Sequence, residues 1–161
     1  MAEKLKEHQY RVDNDVFFEE LLCQISNGKS VKILARGYSM YPLIRHNIDN
    51  VQIAPLDERS ITKGSIVLAK VDGRYILHRI ERINREIVTL RGDGNPYQRE
   101  LCTPANILAE LRTVYRGKLE IQKGSFLWEL ERFCWPRNGF VRRVLLAVNR
   151  RLRGFLHKSK K

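Results

Sequence analysis

The chain has 161 residues, 43% hydrophobic and 30% charged, enough apolar material for one domain with a buried core and too much for a disordered polymer. Its longest unbroken apolar run, Val144 to Val148, falls far short of the roughly 20 residues a bilayer-spanning helix needs, so no transmembrane helix is expected. The 30 Lys and Arg outweigh the 18 Asp and Glu for a net charge of +12, but residues 137–161 hold nine of those cations and no acid, so the rest of the chain is nearly balanced.

The first residues, Met1 to His8, are charged and lead into no apolar stretch of the kind a signal peptide carries, which predicts a cytoplasmic protein. Asp15 reads as the cap of an amphipathic helix with apolar Val16, Phe17, Leu21, Leu22 and Ile25, stopped at Asn27-Gly28. Beyond Lys29 the pattern turns to alternation and short apolar runs. These predict strands at Val31 to Ala35, Val51 to Ile53, Ile66 to Val71, Tyr75 to Ile83, Ile87 to Leu90 and Ile107 to Val114. Asp72-Gly73 between two such runs predicts a tight hairpin, with Ile76, His78 and Ile80 on one face of its second arm. Arg91-Gly92-Asp93-Gly94-Asn95-Pro96 is dense in turn formers and reads as an ordered loop. Phe126 to Trp135 reads as a short helix broken by Pro136, with Trp128 and Trp135 as anchors packing the tail on the body. From Asn138 to about His157 helical periodicity resumes, its apolar residues within a stripe about 160° wide flanked by arginines. One helix followed by many short strands predicts an α+β, mainly β fold: a small coiled sheet or partly open barrel with an N-terminal helix and C-terminal amphipathic helices. The division is a helical lead at 1–30, a β domain at 31–120 and a basic tail at 121–161.

Cys23, Cys102 and Cys134 are odd in number and form no CxxC pair, so free thiols are expected. His8, His46, His78 and His157 lie too far apart to suggest a metal site, and no cofactor is expected. Three segments could carry chemistry together. In Gly37-Tyr38-Ser39-Met40-Tyr41-Pro42 a serine directly follows a strand, in a turn that can leave backbone N–H groups of Ser39, Met40 and Gly37 beside Oγ. His78, on the apolar face of a strand, suits general-base work, and Asp93 in the Gly92 to Asn95 loop could orient it. Arg79 reads as a structural ion-pair or loop-carbonyl partner, and His46 as an exposed loop residue.

The order of these segments resembles the serine peptidase superfamily that contains signal peptidase I and the LexA-like self-cleaving repressors. Gly37 to Pro42 matches its nucleophile box G-x-S-M-x-P at every fixed position. Ile61 to Leu68 is similar to its "kGDIVv" strand with Ser65 in place of Asp, Tyr75 to Ile80 to the general-base box in its His-Arg form, and Leu90 to Asn95 to the "tkGDnN" box. The resemblance covers roughly residues 31–116. It implies a partly open β-barrel and a Ser39–His78 dyad, with Asp93 as the partner of His78. The hydroxyl that signal peptidases place two residues before the nucleophile is replaced by Gly37, as in the LexA-like branch. The Gly-Asp that comes after the nucleophile box falls at Ile48-Asp49, and the second acid of the "GDnN" region falls at Gln98 or Arg99. Neither a membrane anchor nor a self-cleavage bond is recognised.

The function expected from these features is a serine endopeptidase acting on a protein or peptide substrate. The competing expectations are a binding module on the same fold with weak chemistry, and a nucleic-acid-associated protein using the basic tail, which no recognised binding motif favours. Residues 138–157 are expected either to lie on an anionic membrane surface, on the inner face of the membrane, or to pack their apolar stripe on the body with the arginines facing water.

Overall fold

The computed structural model describes residues 15–134, except Pro96 and the side chains of 131–134. The expected amphipathic helix at 138–157 and Trp135 lie outside the described residues. Helix α1 occupies residues 15–26, so Asp15 is already inside it and does not cap it; the helix start lies outside the described residues. Its end is as expected. Gly28, at φ +74°, donates to Ile25 O at 2.9 Å while Lys29 donates to Gln24 O at 3.1 Å, the paired bonds that close a helix on a left-handed glycine.

Eight strands come next: β1 (Val31–Leu34), β2 (Asn50–Ala54), β3 (Ile66–Val71), β4 (Arg74–Asn84), β5 (Ile87–Arg91), β6 (Glu100–Cys102), β7 (Ile107–Arg116) and β8 (Leu119–Gln122). Helix α2 (Phe126–Cys134) closes the described chain. All pairings are antiparallel, in the order β1-β2-β7-β3-β4-β5-β6, and the sheet curls into a half-barrel. Strand β2 pairs with residues 110–115 of β7, so β3 and β8 must share the opposite edge of that strand, β3 at its start and β8 at its end. The fold is mainly β, as expected, and β6 and β8 add to the expected strands. The expected domain boundary near residue 120 falls inside β8.

The sheet carries a core on each face. Ile66 and Leu68 of β3 join Val51, Ile53, Ala109, Leu111 and Val114 on one side, under α1 (Leu21, Ile25) and α2 (Trp128). Val67, Ala69 and Val71 join Ile80, Val88, Leu90 and Cys102 on the other. A strand buried on both faces has no polar alternation to keep, which is why Ile66 to Ala69 reads as a continuous apolar run before exposed Lys70. The β3–β4 hairpin turns at Asp72 (φ +49°) and Gly73 (φ +73°), the pair of left-handed residues a two-residue type I′ turn requires. Among the described residues no helix is long and apolar enough to cross a membrane.

Ser125 begins α2 by accepting the Trp128 N–H on its Oγ at 3.3 Å, which turns the indole into the first core. Trp128→Ala should therefore cost about 3 to 5 kcal/mol. Phe126→Ala, on the same helix but exposed, should stay within about 0.5 kcal/mol of the parent. Urea unfolding monitored by far-ultraviolet dichroism reads both, and equal midpoints would contradict the placement of α2.

Candidate active site

Ser39 lies in the 35–49 connection between β1 and β2. The connection is closed at its base by Ala35 N–H donating to Asp49 O (3.0 Å) and Asn47 N–H to Ala35 O (2.9 Å). Met40, Leu43 and Ile44 are buried in the first core, so the turn is anchored from below and Ser39 is left half-buried at its outer side. Tyr41 N–H donates to Tyr38 O at 3.2 Å, putting Ser39 and Met40 at the two centre positions of a turn. Their N–H groups donate to nothing among the described residues. Gly37 differs: its N–H donates to His46 Nδ1 at 2.8 Å, which removes it from the expected set of free donors. His46, expected as a plain exposed loop residue, is half-buried and also lies against the Tyr38 ring at 4.6 Å between centroids.

Fully buried Asp49 holds this turn electrostatically. It accepts from Arg45 Nη2 at 2.7 Å and from the Arg45 backbone N–H at 3.0 Å. Arg116 reaches the same carboxylate at 3.5 Å and donates to Leu43 O at 3.0 Å, tying β7 to the segment just after the serine. Burial is the largest single influence on Asp49 and pushes its pKa up. The Arg45 bonds and the Arg116 charge together outweigh it and hold the carboxyl below its ordinary value.

His78 sits on β4 opposite Val67, on the face shared with Ile76 and Ile80. Its Nδ1 meets Glu100 Oε2 at 2.9 Å, both side chains buried. A carboxylate only accepts, so Nδ1 is the donor in this bond, and in the neutral ring Nε2 is the nitrogen left to accept. That second nitrogen faces the serine. A β-carbon on Gly92 would lie 3.1 Å from His78 Nε2 and 3.2 Å from Ser39 Cβ, so both atoms flank one small gap that glycine leaves open. No hydrogen bond joins Ser39 Oγ to His78 among the described residues.

The expected role of Asp93 is corrected. Its carboxylate is clasped by Arg79, with Nη2 to Oδ2 at 2.7 Å and Nε to Oδ1 at 3.0 Å, and the residue that bonds His78 is Glu100. Arg79 alternates with His78 along β4 and so leaves the sheet on the opposite face, where it also donates to Gly64 O at 2.8 Å, the ion-pair and loop-carbonyl role expected of it. The motif spacing points to Gln98 or Arg99 for a second acid and so passes over Glu100. One signal in the sequence marks that residue, the only Asp or Glu between Asp93 and Glu110; its burial, with Leu101 exposed and Cys102 buried, comes only from the structure. Cys102 beside it is buried, which pushes its thiol pKa up and leaves it a poor nucleophile.

No family model matches the chain, and no curated protein matches it. Among the described residues no group of three His, Cys, Asp or Glu side chains could hold a metal ion.

A β-carbon on Gly94 would come within 2.2 Å of Tyr38 O, and that contact is backbone, which cannot swing aside. Gly94→Ala should therefore displace the loop from Ser39 and destabilise the fold by about 1 to 3 kcal/mol in a thermal melt, whereas Gly73→Asn, which meets nothing nearby and tolerates the left-handed backbone at φ +73°, should cost less. Asp49, with its depressed pKa, contributes stability that is present in full above about pH 4 and lost as pH falls through the lower folded-state value. Asp49→Asn should thus cost on the order of 3 kcal/mol at pH 7, and the gap from the parent should close in acid. A gap that stays constant from neutral pH into strong acid would show the charge to be idle.

Proposed function

We propose that this protein is a serine endopeptidase of the signal peptidase I and LexA-like type, in which Ser39 is the nucleophile, His78 the general base and Glu100 the residue that positions His78. The observation that carries this reading is the two-sided environment of His78: Nδ1 is fixed by buried Glu100, while Nε2 and Ser39 border the same gap at Gly92. The four sequence boxes support it independently.

Oγ of Ser39 attacks the scissile carbonyl carbon as its proton passes to His78 Nε2, and the carbonyl oxygen takes up the negative charge. The N–H groups of Ser39 and Met40 are the donors available to that oxygen. Collapse breaks the C–N bond, and His78 returns the proton to the leaving amine. A water then loses a proton to His78 and attacks the resulting ester, and Ser39 regains its proton when the acid product leaves. Glu100 accepts the Nδ1 hydrogen bond, holding the ring orientation and stabilising the imidazolium that forms twice per cycle. The substrate is a protein or peptide segment bound in extended form along a strand edge.

A fluorophosphonate probe should form a phosphonyl ester on Ser39, readable as a mass increase on its peptide. On a fluorogenic peptide found from a mixed library, Ser39→Ala and His78→Ala should each lower kcat/KM by about 10³-fold or more. Glu100→Gln should lower it by about 10²-fold or more, well beyond Asp93→Asn if the latter only holds the loop. Unchanged turnover by Ser39→Ala, or a larger loss from Asp93→Asn than from Glu100→Gln, would overturn the assignment.

A further inference from the structure

Strand β4 bulges against β5 at Glu81: Ile80 stands opposite Leu90 and Arg82 opposite Thr89, so Glu81 is the residue inserted between two ladder positions. Its carboxylate accepts from two arginines, Arg91 Nη1 on Oε1 at 2.6 Å and Arg99 Nε on Oε2 at 2.6 Å. Arg91 ends β5 and Arg99 directly precedes β6, so one carboxylate ties both ends of the 92–98 connection. That connection lays Gly92 and Gly94 against the Ser39 turn, and the residue after Arg99 is Glu100. Arg79 already fixes the connection near its start through Asp93, whereas Glu81 fixes the end from which β6 departs.

Register gives this clamp its consequence. Leu90 stands opposite Glu100, and the same antiparallel register continued by one residue sets Arg91 beside Arg99. Like charges directly opposite one another push a strand pair apart. Strand β6 holds to β5 through three residues and has little with which to resist. An ion pair with Arg99 46% and Glu81 28% exposed adds little stability of its own, so its effect lies in the repulsion that its loss would uncover. We propose that Glu81 is a positioning residue for His78: by neutralising Arg91 and Arg99 together, it keeps β6 in the register that brings Glu100 to the imidazole. The role rests on the assignment of Ser39, His78 and Glu100 to a peptidase site, but the hydrogen bond it protects is observable without turnover.

The test follows His78 by two-bond proton–nitrogen correlation at mildly alkaline pH, where the neutral ring shows which nitrogen holds its hydrogen. The parent should show the Nδ1–H form that the Glu100 bond selects. Glu81→Gln should move the ring toward the Nε2–H form and lower kcat about tenfold with KM nearly unchanged. Added salt should restore part of both, because screening weakens the repulsion between Arg91 and Arg99. Arg99→Gln placed on top of Glu81→Gln should also restore part of both, since it removes one of the two like charges. Glu86→Gln, which takes the same charge from the exposed β4–β5 turn, should change neither. Thermal melts check that each variant folds, and Glu81→Asp, too short to span both arginines, replaces Glu81→Gln if that variant unfolds. A parent-like His78 ring in folded Glu81→Gln, or a double variant worse than the single one, overturns the proposal, as does an Nε2–H ring in the parent. A parent that cleaves no peptide while its His78 ring responds as described overturns the peptidase assignment and upholds the clamp.

Discussion

Everything at the site depends on a backbone contact that no side chain is allowed to enter. Gly94 N–H donates to Ser39 O at 2.7 Å, and Gly92 passes between Ser39 and His78 with no room for a β-carbon. The Ser39 turn comes from the β1–β2 connection and the imidazole from β4, segments with no local reason to meet. The 92–95 loop brings them together by lying directly on the carbonyls of Tyr38 and Ser39. Glycine is required there for close approach, which is a different demand from the one at Gly73, where open space surrounds the residue and only the left-handed backbone matters.

Charge is used around this contact as scaffolding. Arg79 grips Asp93 from β4 and so holds the loop that carries both glycines, while Arg45 and Arg116 grip Asp49 and hold the turn that carries Ser39. A third buried carboxylate, Glu110, accepts from Ser60 at 2.8 Å, pairs with Arg112 at 3.1 Å and is bonded by Lys123, linking β7, the residue after β8 and the 57–60 turn. Ion pairs of this kind return little net stability relative to apolar replacements, because desolvation offsets most of the attraction. Their value is directional. Each binds a loop to the sheet at a fixed point, and leaving one partner alone would strand a buried charge.

The elements legible in the sequence are those whose signal is local. Asp72-Gly73 announces its own turn, and the alternation through Ile76, His78 and Ile80 places His78 on the apolar face from the strand period alone. Ser39 stands out because it comes after a strand and precedes a proline-limited turn. Strand β6 gives no such signal: it is three residues long, it comes after a loop dense in turn formers, and it exists because β5 offers it an edge. Strand β8 likewise holds one fully buried residue, Ile121, and draws its pairing from the end of β7. Proximity in the motif assigns Asp93 to His78, but Arg79 and His78 are adjacent on a strand and leave it on opposite faces. An acid near both in sequence can serve one of them, and the sheet, through a pairing invisible in one dimension, supplies the other.

That same pairing explains why so short a strand can bring a carboxylate to His78. Glu100 stands opposite Leu90, which stands opposite Ile80, so the three form one row across β6, β5 and β4, a single alternation from His78. Slipping β6 by one residue would turn Glu100 outward and bring Leu101, now 63% exposed, toward the second core. Cys102 is buried against Val88 and Leu90 on the same face as Glu100, and its partner in register is Val88. The slip would therefore expose Cys102 and Glu100 together, so the register that keeps a small apolar side chain in the core is the one that delivers a carboxylate to the imidazole. Packing and chemistry are selected by one choice of pairing, and the hydrogen bond to His78 at 2.9 Å is its consequence.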